Sequence, residues 1–147
     1  MIQISSLISK DKVIEVAYTD IPEWKIKVAY VAREDLVNIR KECTTIKWDK
    51  KTRQRDDVLD DEKFLRMYSA AIVKGWSGLT LKGVSKLLPI KYEIGKDNEE
   101  VEFTDENAYT LMTDCPDFDR FIADVIADVA AFNDNKKEIN VKNLKNT

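Results

Sequence analysis

Between residues 24 and 30 every second residue is large and apolar, and two of the three residues between them are lysines. Successive side chains of a strand point to opposite faces, so this period of two predicts a half-buried β-strand. Residues 13–18 form a second run rich in β-branched residues, and Pro22 favours a turn between the two runs. The pattern predicts an antiparallel hairpin over residues 13–31.

Apolar residues recur at helical spacing in residues 32–46, 60–74 and 116–133, and Thr104 is a good N-cap for a further helix that stops at Pro116. The charged residues 47–62 are expected to form an exposed loop between helices. In the next segment, residues 79–103, a short helix that ends at Pro89 is expected. The predicted fold class is mainly α (α+β): a small helical domain with an N-terminal β-hairpin. A second short hairpin is one alternative for residues 90–103.

The segment KGWSGL, residues 74–79, places a Trp between two glycines directly after a predicted helix. Gly75 is suited to the left-handed conformation that ends a helix, and Trp76 would then fold back onto the helix and be buried there. Gly78 lets the chain turn again. A ligand-closing loop is the alternative, but no chemically suited residue lies nearby in the sequence, so a helix stop is predicted.

One globular domain is expected over residues 13–133, between a flexible N-terminus at residues 1–12 and a flexible, charged C-terminal tail at residues 134–147. The first residues contain no basic leader, and no apolar run approaches the roughly 20 residues that span a bilayer. Neither a signal peptide nor a membrane anchor is therefore expected.

The composition argues against catalysis. The chain has no His, which removes the commonest general base and metal ligand, and its four glycines form no phosphate-binding pattern. Cys43 and Cys115 are isolated, and the acids in residues 56–62 lack the spacing of a calcium loop. The sequence predicts no enzyme, no catalytic or metal-binding residue and no cofactor.

A basic run over residues 47–55, with Trp48 inside it, is typical of a nucleic-acid contact because cations neutralise phosphates and an aromatic ring can stack on a base. The acids that follow cancel much of that field, and the net charge of the chain is -3. Nucleic-acid binding is therefore the less favoured interpretation.

The order of these segments resembles the tail assembly chaperones, and related small tail-gene products, of long-tailed (siphovirus-type) bacteriophages and prophages. The resemblance covers residues 24–146. It rests on an aromatic residue and a glycine after a helix, on the residues that open the next helix, and on an aromatic residue before the charged tail: Trp76, Gly78, Phe103, Glu106, Asn107 and Phe132.

This resemblance implies a protein that binds the tape measure protein, keeps it soluble and helps recruit tail tube subunits. It also implies a place in the host bacterial cytoplasm, absence from the mature virion, and a homo-oligomer. The tail residues Lys136, Lys137, Lys142 and Asn143 are candidate partner contacts. A small nucleic-acid-associated phage regulator and a structural tail-completion protein are the alternatives.

Overall fold

A computed structural model describes residues 1–8, 12–128 and 132–133 of the chain. Of these residues 43% are helical and 27% lie in strands, so the prediction of a mainly helical fold is wrong and the fold is mixed α+β. After a short 3-10 turn at Ile4–Ser6, the elements in chain order are β1 (Val13–Tyr18), β2 (Ile21–Ala29), α1 (Arg33–Glu42), β3 (Thr44–Asp49), β4 (Gln54–Leu59), α2 (Asp61–Ile72), β5 (Val73–Ser77), α3 (Leu81–Leu87), α4 (Asp105–Asp114) and α5 (Pro116–Ala127).

The main sheet has three antiparallel strands in the order β1-β2-β5. The predicted N-terminal hairpin is confirmed, because β1 and β2 pair along their length. The central strand β2 carries the alternating apolar residues, and its Trp24, Ile26 and Val28 are fully buried. The period of two therefore identified the strand around which the core is built.

Helices α2 and α5 contact the sheet, and α4 contacts both of these helices. Phe118 of α5 stacks on Trp24 with 5.3 Å between ring centroids. Three of the predicted helix ends have a direct cause in the side chains. Thr104 accepts a hydrogen bond from the backbone N–H of Asn107, Asp60 caps α2 in the same way, and Pro116 lies in the first turn of α5.

The segment KGWSGL is not a helix stop. Helix α2 ends at Ile72, and the chain continues without a loop into β5, where Trp76 pairs with Ile26 of β2. Gly75 lies inside this strand, whereas Gly78 has a φ of +82° and does turn the chain. The prediction failed because β5 forms by pairing with β2, a distant segment of the chain. Local helix-capping patterns carry no information about such pairing.

Three further features differ from what the sequence led us to expect. The helix expected over residues 32–46 ends at Glu42, and the charged stretch that follows is the two-stranded sheet β3-β4 rather than a loop. Residues 90–103 form no second hairpin. This segment instead bonds to the chain before α3, through a bridge between Thr80 and Glu100 and a 2.7 Å hydrogen bond from the N–H of Val101 to the carbonyl of Leu79.

Candidate functional site

The hairpin formed by β3 and β4, residues Thr44–Leu59, projects from the rest of the fold and is called the arm here. Every arm residue is exposed except Thr44 and Leu59 at its base, which are half-buried. The base is closed by a 2.8 Å hydrogen bond from the N–H of Asp60 to the carbonyl of Cys43. An isolated two-stranded hairpin is only marginally stable in water. The arm is therefore an exposed element that is held mainly by its own strand pairing and by the hydrogen bond at its base.

The turn at the tip of the arm is held by its own side chains and backbone. The carboxylate of Asp49 accepts a 2.9 Å hydrogen bond from the N–H of Lys51, and Arg53 adopts a φ of 53°. The pKa of Asp49 lies below its ordinary value, chiefly because of that backbone hydrogen bond and secondarily because of bonds from Thr52. Asp and Asn stabilise turns in this way.

The two faces of the arm differ in chemistry. In the register of the strands, Thr44, Ile46 and Trp48 lie opposite Leu59, Asp57 and Arg55 on one face. The other face carries, besides Val58, mostly polar side chains: Thr45, Lys47, Asp49, Gln54 and Asp56. On that outer face Lys47 lies directly opposite Asp56, so opposite charges meet across the strands.

An open groove of about 580 Å³, called the arm groove, lies between helix α1 and the face of the arm that carries Ile46. Its apolar surface comes from Val37, Ile46 and Leu59. Its polar residues are Arg40, Lys41, Thr44, Arg55 and Asp57. The hydroxyl of Thr44 donates a 2.7 Å hydrogen bond to the carbonyl of Arg40, which ties the base of the arm to the end of α1.

Large apolar side chains are exposed in and beside this groove. Ile46 is 56% exposed, Trp48 on the same face of the arm is 62% exposed, and Val37 on α1 is also exposed. Single exposed apolar residues are common on soluble proteins, but a cluster of them beside a concave surface is a candidate interaction site. The arm groove is suited to binding a protein segment.

The sequence-predicted residues lie elsewhere and make structural contacts. The half-buried ring of Trp76 packs edge-to-face against Trp24 and Phe103, and its indole N–H donates a 2.9 Å hydrogen bond to the carbonyl of Val101. A Cβ on Gly78 would overlap the carbonyl oxygen of Glu23, so only glycine fits there.

The remaining residues of this set have similar roles. The side-chain amide of Asn107 donates a 3.0 Å hydrogen bond to the carbonyl of Glu102, which fixes the entry to α4. Phe132 is buried, and its ring lies 5.4 Å from that of Tyr30, centroid to centroid. Lys136, Lys137, Lys142 and Asn143 lie outside the described residues.

In the part of the chain that the structure describes, no group of three or more His, Cys, Asp or Glu side chains is arranged to hold a metal ion. The helices described there include none with the length and apolar character that crossing a membrane requires. Burial raises the pKa of Tyr18, which belongs to the core, and of Tyr68, which is partly buried and packs against the core.

The groove was not predicted from the sequence, although one signal for it was present. Thr44, Ile46 and Trp48 follow the same period of two that identified β2. The charged residues around them concealed it.

Comparison with known protein families identifies the family of this chain. The family model of the YdaY prophage protein matches residues 31–143, which is well over half of the chain. The chain belongs to the YdaY prophage protein family. The matched range includes helices α1 to α5 and the whole arm, so the groove lies within it. No curated protein and no solved structure matches the chain.

Proposed function

We propose that this YdaY-family protein is a phage tail assembly chaperone that binds the tape measure protein and keeps it soluble until tail tube subunits assemble around it. The observation that carries the proposal is the arm groove, in which exposed apolar side chains stand beside charged ones on a projecting hairpin. Membership of a prophage family and the ordered resemblance to tail assembly chaperones support it.

The physical basis is that the chaperone covers apolar surface of the tape measure protein reversibly. A long assembly protein that waits for its partners exposes apolar side chains, and these aggregate unless they are covered. A groove lined by Val37 and Ile46, with the exposed ring of Trp48 beside it, can bury such side chains, while the charged residues around it keep the complex in solution. On this proposal the protein acts in the host cytoplasm by binding alone and leaves before the virion is complete.

The test is co-expression with the tape measure protein encoded by the same prophage, followed by measurement of its soluble fraction and by pull-down. Two substitutions on opposite faces of the arm form a matched pair: Ile46→Asn in the groove, and Val58→Asn on the outer face, where the side chain is 42% exposed. We expect the first to lower the soluble, bound fraction and the second to leave it unchanged. A tape measure protein that stays insoluble and unbound with the unaltered chaperone would refute the proposal.

The second candidate, a nucleic-acid-associated regulator, is favoured by one observation. The tip of the arm and the strands beside it carry five cations around the exposed ring of Trp48: Lys47, Lys50, Lys51, Arg53 and Arg55. Against it, Asp57 pairs with Arg55 and Asp56 lies opposite Lys47. A mobility shift of DNA or RNA at physiological salt, without tape measure binding, would favour this candidate. Detection of the protein in purified particles would instead favour a structural tail protein.

A further inference from the structure

The charge of the arm groove defines what kind of segment it can take. We propose that the groove binds an amphipathic helix whose apolar residues are flanked by Asp or Glu. This inference rests on the proposed function for its source, the tape measure protein, but its chemistry comes from the groove alone. Among the described residues, three cations, Arg40, Lys41 and Arg55, line the groove with a single carboxylate, Asp57.

The carboxylate is already partnered, whereas two of the cations are available to a ligand. Nε of Arg55 lies 3.2 Å from Oδ1 of Asp57, which neutralises that pair at the arm. Arg40 and Lys41 both lie exposed in the last turn of α1, and neither forms a salt bridge within the described part of the chain. Charge on the rim of a binding surface selects partners of opposite sign and repels those of like sign.

The shape of the groove favours a helix over a strand. One wall is the helix α1 and the other is the face of the arm, whose lining residues alternate along β3 and β4. The arm therefore presents side chains to the groove, whereas the unpaired backbone groups of the arm lie at the edges of its two strands. An added strand would pair at such an edge and not in the groove. Apolar side chains spaced at three and four residues on a helix can fill such a groove, with flanking acids reaching the cations at its rim.

A second copy of this chain fits less well. Helix α5 carries exposed acids, but its apolar residues Phe118 and Ile122 are buried in its own core and cannot enter a groove. Ile94 is fully exposed among acidic residues, yet it lies in a loop rather than on a helix. A nucleic acid would leave the apolar surface of Val37, Ile46 and Leu59 unfilled.

The experiment uses two synthetic helical peptides of about five turns. Both carry the same Leu and Ala face, and that face is flanked by Glu in one peptide and by Lys in the other. Binding of each labelled peptide to the full chain is measured by fluorescence anisotropy at low and at physiological salt. We expect the Glu peptide to bind about tenfold more tightly than the Lys peptide, with a difference that shrinks as salt rises.

Variants assign that preference to the groove. R40Q/K41Q should abolish it, and R40E/K41E should reverse it, while Lys47→Glu on the outer face of the arm should leave it unchanged. Thermal melts of each variant check that the fold is kept, which we expect because all three side chains are exposed. Equal binding of the two peptides would overturn the inference, and so would a preference that R40E/K41E does not alter.

The remaining outcomes separate this inference from the proposed function. If the peptides are discriminated but the tape measure protein is not bound, the proposed function fails and the groove chemistry stands. If the tape measure protein is bound and the peptides are not discriminated, the groove chemistry fails alone. Loss of self-association in R40E/K41E without any effect on peptide binding would identify a second copy as the occupant and overturn the inference.

Discussion

The described part of the chain contains two β-hairpins with opposite relations to the core. In the β1-β2 hairpin, alternate side chains of β2 are fully buried and meet α5, whereas in the arm the same alternation places Ile46 and Trp48 in solvent. Both hairpins are antiparallel and paired along their length, with one register shift between Ala17 and Tyr18 in β1-β2, so strand pairing alone does not explain why one is buried and the other exposed. The difference shows that one sequence pattern can build either the core or an exposed surface, depending on what packs against it.

Two tryptophans give the largest expected contrast between these hairpins. Trp24→Ala removes a fully buried ring that stacks on Phe118 and should lower the free energy of unfolding by about 3–5 kcal/mol. Trp48→Ala removes an exposed ring and should change it by no more than about 0.5 kcal/mol. Urea denaturation of both variants measures the two values. Similar losses would mean that the arm is packed against the body.

Two glycines with positive φ test how tightly the body is packed compared with an outer loop. Gly78 has a φ of +82° and meets the carbonyl of Glu23, while Gly95 has a φ of +94° with nothing near its missing Cβ. Alanine at Gly95 should cost only the backbone strain, about 1–2 kcal/mol. Alanine at Gly78 should cost that strain plus the displacement of Glu23. The melting temperature of Gly78→Ala should therefore be clearly lower than that of Gly95→Ala. Equal losses at the two sites would show that β2 can move aside.

The third test concerns the hydrogen bond of Trp76. Trp76→Phe keeps an aromatic ring against Trp24 and Phe103 but removes the donor that reaches the carbonyl of Val101 at 2.9 Å. We expect a loss of about 0.5–1.5 kcal/mol in the free energy of unfolding. Trp48→Phe is the matched control, because that ring is exposed and should lose almost nothing. A Trp76→Phe protein as stable as the parent would show that the bond contributes little.

The smallest effect is expected at the tip of the arm. The backbone hydrogen bond from Lys51 lowers the pKa of Asp49 in the folded state. A depressed pKa means that the turn is stabilised while Asp49 is ionised, and that this contribution is lost as the pH falls through its folded pKa. An NMR titration of the side-chain carboxyl should place the midpoint below that of an unstructured Asp, and Asp49→Asn should remove the signal. A midpoint at the ordinary value would indicate an open turn.

Helices and strands that bury one face in the core were predictable from the sequence, whereas exposed elements were much less so. The alternation around Ile26 and the apolar spacing around Phe118 located β2 and α5 because burial dictates both patterns. Strand β5 was missed because its pairing with β2 is a long-range contact, and α2 runs into it without a turn residue. The arm was missed because its charges resemble those of a loop, so the groove could not be located before the fold was known.

The hydrogen bond between Asp60 and Cys43 at the base of the arm has a consequence for how such a protein can change over time. The chain leaves the body at Thr44 and returns at Leu59, and these two residues face each other in the first pair of the β3-β4 ladder. Elements whose ends meet at the surface tolerate insertion and replacement without loss of the fold. The arm is therefore replaceable without disturbing the body, and on the proposed function its replacement would direct the protein to a different partner while the body continues to fold as before.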